Sequence, residues 1–186
     1  MRKIFAIILA AVLAVSLCSC GGNSLSDETG SKETVKAEDF DLDGYKEKAS
    51  EFRSSVYEAS IVLGNIGVYE NNYWKALGSL SDSMVESAFD WLAENSDESK
   101  ETVEANNENI RAAYKELVLI DVGDDGEAAE IDAGVRALYD GYSELYNTVL
   151  NPSGSRGYFA TNVSDLMSEV QSANDDLLLF LPEETQ

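Results

Sequence analysis

From Tyr45 onward, apolar residues recur at alternating steps of four and three. Tyr45, Ala49, Phe52, Val56, Ala59, Leu63 and Ile66 form the first stripe, which continues less regularly through Tyr69, Tyr73, Leu77 and Leu80. That rhythm keeps one side of an α-helix apolar. Gly64, Gly67 and Gly78 interrupt it, and each Gly costs about 1 kcal/mol relative to Ala inside a helix. The pattern therefore predicts a long first helix with a kink or break near Gly64–Gly67, or an end near Gly78.

Ser83 followed by Glu86 has the spacing of a capping box, with Ala88, Phe89, Trp91 and Leu92 behind it. The run Asn95-Ser96-Asp97-Glu98-Ser99 stops the apolar rhythm and offers a second helix start. Val103, Asn107, Ile110, Tyr114 and Leu117 resume the rhythm, with an amide at a seam position that needs a hydrogen-bond partner if buried. Asp121-Val122-Gly123-Asp124-Asp125-Gly126 reads as a turn. Beyond it Ala128, Ile131, Val135, Leu138, Tyr142, Leu145 and Val149 repeat the four-three pattern without a fault. Phe159, Val163, Leu166, Val170, Ala173, Leu177 and Phe180 form the last stripe, and the only two prolines, Pro152 and Pro182, lie where helices should stop. No segment sustains period-two alternation. The expected fold is an all-α, antiparallel helical bundle of about four main helices, the second broken near Ser96.

The first residues follow another logic. Arg2 and Lys3 precede an unbroken apolar run from Ile4 to Val15, too short for a comfortable membrane span and patterned as a cleaved export signal. Leu17-Cys18-Ser19-Cys20-Gly21 resembles the lipobox of bacterial lipoproteins: a leucine, two small residues, then a cysteine. The resemblance implies diacylation of Cys20 and cleavage before it, with residues 1–19 as the signal peptide. Residues 20–37, rich in Gly, Ser, Thr and charge, then form a flexible tether with a reach of about 20 Å. The helical domain is expected over 38–182, with a short tail at 183–186. The Gly-Gly after Cys20 and the style of the signal resemble Gram-positive lipoproteins, which implies the outer face of the cytoplasmic membrane.

Composition narrows the chemistry. The chain has no histidine and two cysteines, of which cleavage removes Cys18 and acylation consumes Cys20. Ser-His-Asp and Cys-His nucleophiles, His/Cys zinc sites, histidine-ligated haem and iron–sulfur clusters are all excluded. Carboxylate, lysine, tyrosine and serine chemistry is left, and no cofactor is implied. A net charge of −22 repels nucleic acid and anionic headgroups, so the lipid itself must supply membrane affinity, and one acyl chain would hold only weakly.

Several segments are candidate sites. Tyr69, Asn71, Asn72, Tyr73 and Trp74 place rings beside amides, as a sugar or peptide surface would; rings at a core edge with polar tips at the rim are the plainer reading. Tyr139, Tyr142 and Tyr146 fall on one side of another helix. Asp39-x-Asp41-x-Asp43-Gly44 matches the first half of an EF-hand loop, but Ser50 stands where the closing Glu belongs. Asp121, Asp125 and Asp132 fit part of a second such loop, in which Gly123 and Asp132 replace the third-position carboxylate and the closing Glu. Neither is a complete metal site. Carboxylate pairs such as Glu94 with Glu98, Glu101 with Glu104 and Glu127 with Glu130 fit exposed charged faces; a glycosidase needs two carboxyls across a cleft.

The reading that emerges is a non-enzymatic, lipid-anchored accessory protein of the cell envelope, held at the membrane by Cys20 and binding an envelope protein or component. A small-ligand or calcium-binding lipoprotein is the alternative, and a carboxylate-dependent wall-polymer hydrolase the third. The anchor is directly testable. Cys20→Ala should abolish incorporation of labelled palmitate while Cys18→Ala leaves it intact; label retained on the Cys20→Ala chain would refute the lipobox.

Overall fold

The computed structural model describes residues 40–78, 81–123 and 126–181. The expected signal peptide, Cys20, the tether and the tail at 183–186 lie outside the described residues, as do Leu80 and Pro182. Every regular element described is helical: α1 (Leu42–Leu77), α2 (Asp82–Asn95), α3 (Lys100–Val118), α4 (Gly126–Leu150) and α5 (Arg156–Leu178). The interruption at Ser96 separates two helices, so the four expected stripes become five helices.

Local chemistry sets the ends. The Asp41 carboxylate accepts the Gly44 backbone N–H at 3.0 Å and caps α1. After thirty-six helical residues Gly78 closes the helix in the left-handed conformation, φ 71°, and donates its N–H to the Trp74 carbonyl. Ser99 and Ser155 cap α3 and α5 in the same manner as Asp41. The capping box expected at Ser83 and Glu86 is not formed. Ser81 is the N-cap residue of α2, and both Ser83 and Glu86 lie inside the helix, where Glu86 faces Lys100 at 3.4 Å.

One hydrophobic core draws on all five helices, and α1 touches each of the other four. The α4 stripe is buried in full, from Ala128 to Val149. Asn107 finds its partner: the Tyr142 hydroxyl donates to its side-chain oxygen at 3.3 Å. The stripe on α1 departs from expectation past Ile66. Its inward line passes through Leu63, Gly67, Glu70 and Trp74, whereas Leu77 is more than half exposed. The four-three rhythm persists, but through a glycine and a glutamate that no hydrophobicity count registers.

Gly64 and Gly67 do not break α1; they let α5 approach it. A Cβ on Gly67 would lie 2.9 Å from Val163 Cγ1 and 3.5 Å from Val149 Cγ2, and one on Gly64 would lie 2.9 Å from Met167 Sδ. Between α4 and α5, a Cβ on Gly134 would meet Leu177 Cδ2 at 2.7 Å and Cγ at 2.9 Å. Polar pairs cross between α1 and α5. Arg53 Nη1 donates to Asn174 Oδ1 at 2.9 Å in a buried position, Tyr57 Oη donates to Gln171 Oε1 at 2.7 Å, and Arg156 Nη1 donates to Asn71 Oδ1 at 3.1 Å.

Gly67→Ala weighs the two roles of glycine against each other. Helix propensity favours Ala by about 1 kcal/mol, but the short, β-branched Val163 cannot swing clear, and overpacking costs about 1–3 kcal/mol. We expect a net loss of up to about 2 kcal/mol in urea unfolding; a stabilised variant would show that α1 and α5 are not in close contact there.

Candidate functional site

The side of α1 turned away from the core carries Ile61, Asn65, Val68 and Asn72, residues that recur every third or fourth position and share one exposed flank. Val68 is 59% exposed and Ile61 43%. A groove lies on each side of this ridge. The one towards α2 has a volume of about 390 Å³ and is walled by Tyr69, Asn72, Trp91 and Asn95. The one towards α5, about 580 Å³, is walled by Asn71, Ala160, Ser164 and Met167. Asn65 and Val68 belong to both. Among the described residues, none that lines either groove is charged, although 26% of the chain is.

Aromatic contacts brace the α2 side. Trp91 stacks on Tyr69 with ring centres 4.9 Å apart and planes 17° from parallel, and Tyr69 stacks on Tyr73 at 6.0 Å. Trp91 remains 39% exposed. Asn95 Nδ2 donates to the Trp91 carbonyl at 2.7 Å, which fastens the last turn of α2. Asn65 and Asn72 are exposed.

The stretch Tyr69–Trp74 is thus divided between surface and core. Tyr69 and Asn72 line the α2 groove, Asn71 lines the α5 groove, and Tyr73 packs behind Tyr69. Trp74 does not belong to the surface. It is 7% exposed and meets Phe159 in the core, with ring centres 5.9 Å apart, because each residue turns the helix by about 100° and six in a row must visit both sides. Of the three tyrosines on α4, Tyr142 is buried and Tyr139 stacks on Tyr114 at 3.8 Å.

The acidic turns are occupied by ordinary backbone chemistry. Asp121 accepts the Gly123 N–H at 3.1 Å, while Asp132 sits within α4 and is held by Arg136 at 2.8 Å. Asp125 and Asp39 lie outside the described residues. Asp41 is the α1 cap, and Asp43 and Gly44 are already helical. Among the described residues no three metal-capable side chains converge. Comparison with protein-family models, with curated proteins and with solved structures gives no match.

The least expected residue is Glu70, which lies under the site on the inward side of α1. It is 0% exposed, and neither carboxyl oxygen has a hydrogen-bond partner. Burial alone pushes its pKa from 4.5 up to about 8, since the charged form loses its hydration and gains nothing in return. At neutral pH the group is mostly the neutral acid. Its effect on stability has a definite sign. The unfolded carboxyl ionises near 4.5 and the folded one near 8, so the folded state holds the extra proton between those values. Stability is full below pH 4.5, declines as pH rises, and the loss is complete once pH has passed about 8. At about 1.4 kcal/mol for each pH unit, the loss reaches at most about 5 kcal/mol. Thermal melts of the natural chain and of Glu70→Gln should therefore diverge between pH 5 and pH 9, with the variant favoured at the alkaline end. Parallel pH profiles would place Glu70 in water.

Proposed function

We propose that the chain is a lipid-anchored, extracytoplasmic interaction protein of the bacterial cell envelope, and that its partner docks on the uncharged outer side of α1. The observation that carries this reading is the absence of charge from the described lining of both grooves in a chain of net charge −22. Acidic side chains elsewhere keep the molecule soluble and repel nonspecific partners. A contiguous uncharged surface with exposed Ile61, Val68 and Trp91 is where close approach costs least desolvation. The lipobox at Leu17–Cys20 supports the anchor, and among the described residues no helix is long and apolar enough to cross a membrane.

Among the described residues no carboxylate lines either groove, which weighs against a wall-polymer hydrolase acting at this face. We further infer an antiparallel, four-position bundle in which α2 and α3 share the second position. The order of partners supports it. Arg53, Tyr57 and Asn71 along α1 meet Asn174, Gln171 and Arg156 in reverse order along α5.

Site-specific photo-crosslinking in intact cells tests the docking face. A crosslinker at position 68 should give a discrete adduct, and one at the exposed position 130 on α4 should give none. Adducts from 130 with none from 68 would move the interaction to another surface.

A further inference from the structure

The groove between α1 and α2 has the chemistry of a site for an uncharged sugar, an assignment that rests on the docking face argued above and gives it a ligand class. Four features converge. Trp91 offers a flat apolar surface held rigid by the Trp91–Tyr69–Tyr73 stack, so a ligand need not order it on binding. Around that surface stand three amides from two helices. Asn65 and Asn72 make no side-chain hydrogen bond to any described residue, and Asn95 has its Nδ2 fixed on the Trp91 carbonyl, which leaves its oxygen for a ligand. The volume of about 390 Å³ lies in the range of small-molecule sites. The fourth feature is the missing charge.

Each feature excludes something. An anionic ligand would find no cation in the groove and would face a chain of net charge −22. A cationic ligand would find no carboxylate there. An extended peptide seeks a row of free backbone N–H and C=O groups, which helices α1 and α2 have already used among themselves. A neutral pyranose has one face of C–H groups, suited to an indole ring, and a rim of hydroxyls that both donate and accept, suited to amides, which do the same. We propose that the α1–α2 groove binds a neutral oligosaccharide, one ring stacked on Trp91 and its hydroxyls held by Asn65, Asn72 and Asn95. The oligosaccharide continues over Val68 into the α1–α5 groove, where the Asn71 amide N–H groups (its oxygen accepts from Arg156) and Ser164 provide further polar contacts.

The protein carries its own reporter. Its only tryptophans are Trp74 and Trp91, so Trp74→Phe leaves Trp91 as the single indole and keeps a ring against Phe159. The full chain, in a polyoxyethylene detergent that contains no sugar, is titrated with neutral hexasaccharides of glucose, of mannose and of N-acetylglucosamine, with hexagalacturonate as the anionic control. At least one neutral hexamer should shift Trp91 emission saturably to shorter wavelength, and calorimetry on the natural chain should give the same affinity should Trp74→Phe fold poorly. Trp91→Ala should weaken binding about tenfold or more, Asn72→Ala about five- to tenfold, and hexagalacturonate should have no effect. Silence from all three neutral hexamers up to about 10 mM, weaker than millimolar recognition, overturns the assignment. So does equal binding of hexagalacturonate, or full affinity in Trp91→Ala. If the sugars fail while crosslinking at position 68 persists, the face is real and its partner is a protein. If both fail, the docking face itself is wrong.

Discussion

The close seating of α1 on α5 and α4 is the constraint on which the rest of the molecule depends. Glycine at positions 64 and 67 lets two helices approach to distances that no other residue would allow without displacing Met167 or Val163. The attraction this gains is dispersion and burial, and it must outweigh the mutual repulsion of a chain with net charge −22. The only cysteines are Cys18 and Cys20, so the helical domain carries none. Packing therefore holds it together, helped by short polar crossings such as Arg53 with Asn174 and Lys46 with Glu127 at 2.7 Å.

That seating also decides what α1 can show to solvent. A helix that touches all four others has a narrow free side, and in this chain the free side is Ile61, Asn65, Val68 and Asn72, with α2 and α5 as walls. The same turn of helix that sends Glu70 and Trp74 inward sends Asn71 and Asn72 outward. Core and candidate site are two sides of one element. A disturbance of the seam at Gly67 would accordingly be felt in the grooves, because the wall formed by α5 would have to shift.

How much of this could be read from residues alone varies along the chain. On α4 and α5 the buried line consists mainly of aliphatic and aromatic residues at regular spacing, legible one by one from Ala128 to Val149 and from Phe159 to Leu177, with Gly141 and Asn174 the buried members that an apolar count omits. On the second half of α1 they were not, because the inward line passes through Gly67 and Glu70. Counting apolar residues moves the stripe onto Tyr69, Tyr73 and Leu77, one flank away from the true core. Of the two expectations for α1, an end near Gly78 holds, whereas a break near Gly64–Gly67 does not, for a related reason. A glycine's cost in an isolated helix is outweighed when its missing side chain admits a neighbour. The aromatic stretch at 69–74 lies beside both grooves, yet the most exposed ring there, Trp91, comes from a different helix. Only the pairing of α1 with α2 brings it to Tyr69. The signal available in sequence was the position of Trp91 between Phe89 and Leu92 in an amphipathic stretch, which reads equally well as core.

Cysteine accessibility along α1 tests the two-sided character of this helix most directly. In a full chain with Cys18 and Cys20 replaced, single cysteines are placed from position 61 to position 74 and labelled with a small maleimide under native conditions. The structure predicts fast labelling at 61, 65, 68 and 72, and protection at 63, 66, 67, 70 and 74. Fast labelling at 70 and 74 together with protection at 68 and 72 would mean that α1 is rotated, and that neither the buried carboxyl nor the uncharged face lies where it has been placed.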